Sequence, residues 1–141
     1  MTGRRTILVV EDEPEIVEIV QLNLEAAGYR VVGAEDWVEG LRQIRALRPD
    51  LLLLDLMLPG TDGWRALEEV RADPATTDLP VVVLSCEKTD RTILRALFDG
   101  AADYVTKPFD PSVLEAVVSL AIAKAHRERP SGTEPPVSPA A

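Results

Sequence analysis

Short apolar runs alternate along this chain with stretches whose apolar positions recur at helical spacing. Thr6-Ile7-Leu8-Val9-Val10 reads as a first strand. Pro14 then suits the first turn of a helix, where its missing N–H costs nothing. Ile16, Val17, Ile19, Val20, Leu22 and Leu24 carry that helix to a stop at Gly28. Tyr29 to Ala34 predicts a second strand, and Asp36 an N-cap for a helix through Leu47, with Trp37, Leu41, Ile44 and Leu47 at helical spacing. Leu51 to Asp55 is the third strand. A third helix runs from about Trp64 to Ala72 and ends at Asp73-Pro74. Pro80 leads into Val81-Val82-Val83-Leu84-Ser85, a fourth strand with no polar alternation. Asp90 is expected to cap a helix reaching Asp99-Gly100, and Asp103 to Thr106 is a short fifth strand. Asp110-Pro111 opens a last helix through roughly His126.

Five strands thus alternate with five helices, and the central strands are apolar throughout. A strand with no polar side belongs in a sheet covered on both faces, so the expected class is α/β, a doubly wound parallel sheet. The pattern fails from Arg127 to Ala141, where Pro130, Pro135, Pro136 and Pro139 stand among small and polar residues. The expected organisation is therefore one domain over 1–126 and a Pro-rich disordered tail over 127–141. So short a tail holds no effector domain, which puts the output in the α/β domain itself. The ending Ser138-Pro139-Ala140-Ala141 reads as that of a free-standing protein.

Composition narrows the class. At 141 residues, 46% apolar and 28% charged, the chain suits one domain with a real core. No apolar run has the length of a membrane span, and Met1-Thr2-Gly3-Arg4-Arg5 leads straight into a strand, so neither membrane insertion nor export is expected. A lone cysteine, Cys86, excludes an intrachain disulfide and fits the cytoplasm. The net charge of −9 argues against direct nucleic-acid binding, which needs a basic face.

In open parallel sheets, chemistry collects beyond the carboxyl ends of the strands. Those ends carry Glu11-Asp12-Glu13, Asp55, Ser85-Cys86 and Thr106-Lys107-Pro108-Phe109. Crowded carboxylates repel, and a hard divalent cation such as Mg²⁺ relieves them. Metal and lysine together make a positive pocket for the oxygens of a transferring phosphoryl group. Asp55 is a plausible nucleophile, since carboxylates form aspartyl-phosphate intermediates. Taken alone, Glu11-Asp12-Glu13 equally suits the positive end of the next helix.

From about Thr6 to Lys124 the chain resembles the response-regulator receiver domains of two-component signalling, in particular single-domain regulators of the chemotaxis kind. The resemblance rests on Ile7-Leu8-Val9-Val10-Glu11-Asp12-Glu13, on Leu54-Asp55-Leu56-Met57-Leu58-Pro59-Gly60-Thr61-Asp62-Gly63, on Leu84-Ser85 and on Tyr104-Val105-Thr106-Lys107-Pro108-Phe109. It implies a flavodoxin-like sheet of strand order 2-1-3-4-5. It implies that Asp55 accepts a phosphoryl group from the phosphohistidine of a sensor kinase or histidine phosphotransfer protein. Glu11 and Asp12 would hold Mg²⁺, directly or through water, with Asp55 and the backbone carbonyl of Met57. Lys107 would pair with Asp55 at rest and with a phosphoryl oxygen afterwards. Ser85 would swing toward the phosphoryl group, Tyr104 would turn inward behind it, and Pro108 would follow a cis peptide bond. Such a protein is a switch and not an enzyme beyond its own phosphorylation and dephosphorylation. Its surface of helix four, strand five and helix five would engage a target protein, a phosphotransfer protein or a second copy of itself. Kinase choice would lie on the exposed face of helix one, with Glu15, Glu18 and Gln21.

The chain departs from the family at several positions. Glu11 stands where aspartate is frequent, Ser85 replaces a frequent threonine, and Cys86 is bulkier than the usual alanine or glycine. Met57 and Glu87 occupy positions that influence the lifetime of the phosphorylated state. Two other readings compete. An aspartyl-phosphate phosphatase of the haloacid-dehalogenase kind usually has a second aspartate two residues after the nucleophile, where Met57 stands, and a cap domain. A receiver-like module that binds but is never phosphorylated would lack an acid or the lysine, and all are present. Of the other singular residues, Trp37 and Trp64 are read as helix surface or packing residues and Cys86 as a small apolar neighbour. His126 is read as a helix-end residue, and Asp62-Gly63 as a turn and helix start without chemistry of its own.

Overall fold

The computed structural model describes residues 3–128. Its strands are β1 Thr6–Val10, β2 Arg30–Ala34, β3 Leu51–Asp55, β4 Val81–Ser85 and β5 Asp103–Thr106. Its helices are α1 Pro14–Ala26, α2 Trp37–Leu47, α3 Gly63–Ala72, α4 Asp90–Phe98 and α5 Pro111–Glu128. The strands form one sheet in the order β2-β1-β3-β4-β5, every pair parallel. This is the doubly wound α/β architecture expected from the apolar strands, in the strand order that the resemblance implies.

The unbroken apolar strands are explained by two cores, one on each face. Leu8, Val10, Leu52, Leu54, Val81 and Val83 pack with Trp37, Ile44, Leu67 and Val70 of α2 and α3. The alternate residues Ile7, Val9, Leu51, Leu53, Val82 and Leu84 pack with Val20, Leu24, Leu114 and Val118 of α1 and α5. Because side chains along a strand alternate faces, every position of β3 and β4 is buried, and a polar residue there would cost stability.

Local chemistry moves a few boundaries from those expected. Tyr29 closes α1 rather than opening β2: its N–H donates to Leu24 O at 3.0 Å while Gly28, at φ 103°, donates to Glu25 O. Thr89, not Asp90, caps α4, its hydroxyl accepting from the Thr92 N–H at 3.2 Å. Asp90 becomes the first helical residue, where its charge favours the helix dipole. The α4 helix ends at Phe98, with Asp99 as its C-cap. The α5 helix continues to Glu128, two residues past the expected end near His126. The rest of the expected Pro-rich tail, 129–141, lies outside the described residues. Among the described residues no helix is long and apolar enough to cross a membrane.

Candidate functional site

The register of the parallel sheet brings the reactive residues to one end. Val10 lies opposite Leu54, so the next residues, Glu11 and Asp55, lie side by side. Asp55 lies opposite Leu84, which places Ser85 one step beyond it. Ser85 lies opposite Thr106, and Lys107 follows, its N–H donating to Ser85 O at 2.8 Å. Parallel strands deliver their C-termini to the same edge, so four segments distant in sequence converge without any long loop.

The result is a charged cluster sunk into an apolar sheet. Glu11, Asp55, Ser85 and Lys107 are all buried, and Asp12 is exposed at the rim. The Lys107 ammonium lies 2.7 Å from Glu11 Oε1, 3.4 Å from Asp55 Oδ2 and 3.6 Å from Glu13 Oε1. Glu11 is thus the nearest ion-pair partner of the ammonium. Asp55 is fixed on its other side by the Met57 N–H, which donates to Oδ1 at 2.9 Å. The Met57 side chain is exposed. The Lys107–Pro108 peptide bond is cis, as expected.

The charges do not balance. Burial pushes the Glu11 carboxyl up to about 7; the Asp55 charge adds to this and Lys107 opposes it. Burial works to lower the Lys107 pKa, but Glu11 and Asp55 outweigh it and hold the ammonium above its ordinary value. Oxygens of Glu11, Asp12 and Asp55 lie within 4.8 Å of one another, a set suited to one cation. Three carboxylates so close together, an all-oxygen donor set, fit a hard divalent ion such as Mg²⁺.

Beside this cluster stands a second, neutral constellation. The buried Ser85 hydroxyl accepts from the Glu87 N–H at 3.2 Å. Tyr104, half-buried against the α2–α3 core, donates its hydroxyl to Glu87 O at 2.8 Å. Burial raises the tyrosine's pKa, with Glu87, Cys86 and Asp55 acting the same way and the Ser85 hydroxyl against it. Tyr104 thus touches the β4–α4 turn. Cys86, beside Ser85, is exposed. Trp37 is buried and donates to Glu69 at 2.9 Å, while Trp64 lies under the Arg95 guanidinium.

Sequence reasoning passed over two residues. Glu13 is a third acid on Lys107, visible in the acidic triplet but given no role there. Gly63 is more than a turn residue: a Cβ on it would stand 2.5 Å from both Cα and O of Leu56. Only glycine lets the start of α3 press against the backbone directly after Asp55. The Asp-Gly pair marked a helix start, but the close approach depends on where the returning chain passes.

Comparison with known proteins points one way. The model of the response regulator receiver domain matches residues 7–119. The phosphate regulon transcriptional regulatory protein PhoB of Escherichia coli is 41% identical over 120 residues, 85% of this chain and 52% of that protein. The DNA-binding dual master transcriptional regulator RpaA of Synechocystis is 39% identical over 121 residues, 86% of this chain and 50% of that protein. The chain therefore spans about half the length of the curated relatives it matches. A crystal structure from Chloroflexus aurantiacus, of a protein classed with the response regulators, superposes with a TM-score of 0.81 at 36% identity. That match covers 86% of this chain and 99% of the other. With the family match spanning nearly all of the described sheet and helices, the chain belongs to the response-regulator receiver-domain family, whose members are signalling switches.

Proposed function

We propose that this protein is a phosphorylation-activated switch in which Asp55 accepts a phosphoryl group from the phosphohistidine of a sensor kinase or histidine phosphotransfer protein. The observation that carries the reading is the buried Asp55 carboxylate at the end of β3, between the Glu11–Asp12 acids and the Lys107 ammonium 3.4 Å away. A carboxylate oxygen of Asp55 attacks phosphorus and forms the acyl-phosphate bond. The P–N bond to the imidazole breaks, and its electron pair stays on the histidine nitrogen. Glu11, Asp12 and Asp55, with the Met57 backbone carbonyl, would hold Mg²⁺, which supplies charge neutralisation for the phosphoryl oxygens. Lys107 passes from Asp55 to a phosphoryl oxygen, so its charge stays paired throughout. Ser85 gives up the Glu87 N–H and donates its hydroxyl to the phosphoryl group, and Tyr104 follows the β4–α4 turn through its bond to Glu87.

The readout is the surface of α4, β5 and α5, where Leu94, Leu97 and Phe98 are exposed on α4. It binds a target protein or, after phosphorylation, a second copy of the chain. The chain's charge of −9 disfavours direct contact with nucleic acid, although PhoB and RpaA are transcriptional regulators. The same reading places the protein in the cytoplasm. Incubation with Mg²⁺ and acetyl phosphate should add the mass of one phosphate group, and EDTA or Asp55→Asn should prevent it. Equal labelling of Asp55→Asn would remove Asp55 as acceptor, and steady turnover of a generic phosphate ester would favour a phosphatase.

A further inference from the structure

The α4 helix is weakly anchored. Of its nine residues only Ala96 is buried, whereas α2 buries Trp37, Gly40 and Ile44, and α3 buries Gly63, Ala66, Leu67 and Val70. Leu94, Leu97 and Phe98 face solvent, so apolar burial does little to hold the helix in place. Its remaining attachments are polar. On one side the Tyr104 hydroxyl holds Glu87 O in the turn before α4. On the other, the Arg95 guanidinium lies 3.9 Å above the centroid of the Trp64 ring of α3, and within α4 it also pairs with the C-cap Asp99, 3.5 Å from Oδ2.

The seat of that guanidinium is tied to the acceptor. Asp55 is followed by Leu56, whose backbone touches Gly63, and Trp64 is the next residue. Asp62 caps α3 by accepting from the Trp64 N–H at 3.0 Å. A chain of fixed contacts therefore runs from the end of β3 through the start of α3 to Arg95 on α4. It is separate from the Ser85–Tyr104 side of the site. Further down the same groove, the Arg71 side chain of α3 packs under Gly100 in the turn after α4.

We propose that the Trp64–Arg95 stack is a fastening that holds α4 in its resting position and thereby opposes phosphorylation of Asp55. This rests on the reading of Asp55 as acceptor and adds α3 as a second support for the switch. A cation over an indole face is favoured electrostatically, and an exposed stack of this kind shifts a two-state balance by about two- to fivefold. Arg95 and Trp64 act as positioning residues, since neither touches the reacting atoms.

The test measures the initial rate of Asp55 labelling by acetyl phosphate with Mg²⁺ in Arg95→Ala, Trp64→Leu, the double variant and Arg95→Lys, with folding checked by circular dichroism. Both single variants should label about two- to fivefold faster than the parent, the double no faster than either single, and Arg95→Lys close to the parent. Trp64→Leu leaves the charge unchanged, so an equal effect there separates the stack from simple electrostatics. Parental rates in both singles, or effects that multiply in the double, would overturn the proposal. If the parent itself is not labelled, the acceptor assignment fails and amide hydrogen exchange of α4 decides the inference. Faster α4 exchange in both singles then supports the fastening, and unchanged exchange overturns it.

Discussion

Glu11 should make the metal-free protein less stable as pH rises from acid to neutral. Its folded pKa of about 7 stands above the 4.5 of an ordinary glutamate, because burial and the Asp55 charge oppose ionisation. Between those two pH values the folded state binds more protons than the unfolded chain, so raising the pH favours unfolding. The contribution is fully present below the lower value and lost above the upper one. A shift from 4.5 to about 7 corresponds to about 3 kcal/mol at about 1.4 kcal/mol per pH unit. Relaxation of the site and entry of water reduce this to about 1–2 kcal/mol. Urea denaturation in EDTA, at intervals between these pH values, should show that loss in the parent. Glu11→Gln should lack it, and the difference between the two proteins cancels the titrating groups that do not contact Glu11. Mg²⁺ should restore the parent's stability near neutral pH by holding Glu11 ionised. If parent and Glu11→Gln lose the same stability across the window, the electrostatic account of the cluster is wrong.

Two further substitutions probe the scaffold around Asp55. Lys107→Met leaves Glu11 and Asp55 buried without their cation; in EDTA near pH 8 it should cost about 3 kcal/mol by urea denaturation, with part of the loss recovered in Mg²⁺. Gly63→Ala puts a Cβ 2.5 Å from the Leu56 backbone and should cost about 1–3 kcal/mol by the same measurement, with slower Asp55 labelling because the acceptor's own loop must shift.

The sheet was legible because its strands are short, apolar on both faces and punctuated by proline, glycine or aspartate, signals local to each segment. The site was legible for a related reason: in a parallel sheet the residues closing each strand meet at one edge, so Glu11, Asp12, Asp55, Ser85 and Lys107 are placed together by topology alone. What escaped depends on contacts between segments. Asp90 is as good a cap by type as Thr89, and only the turn leaving β4 decides which hydroxyl or carboxylate faces the Thr92 N–H. Tyr29 looks like a strand residue, yet its amide is claimed by the closing turn of α1. The tight passage at Gly63 and the Arg95–Trp64 stack join residues whose sequence patterns carry no trace of one another.

The most direct test of Asp55 as phosphoryl acceptor is a phosphotransfer profile, in which each radiolabelled histidine kinase of the host is mixed with the protein and with Asp55→Asn. Rapid transfer from one kinase to the parent, with none to Asp55→Asn, is the expected result. Label appearing equally on Asp55→Asn, or no transfer from any kinase while acetyl phosphate also fails, would contradict it.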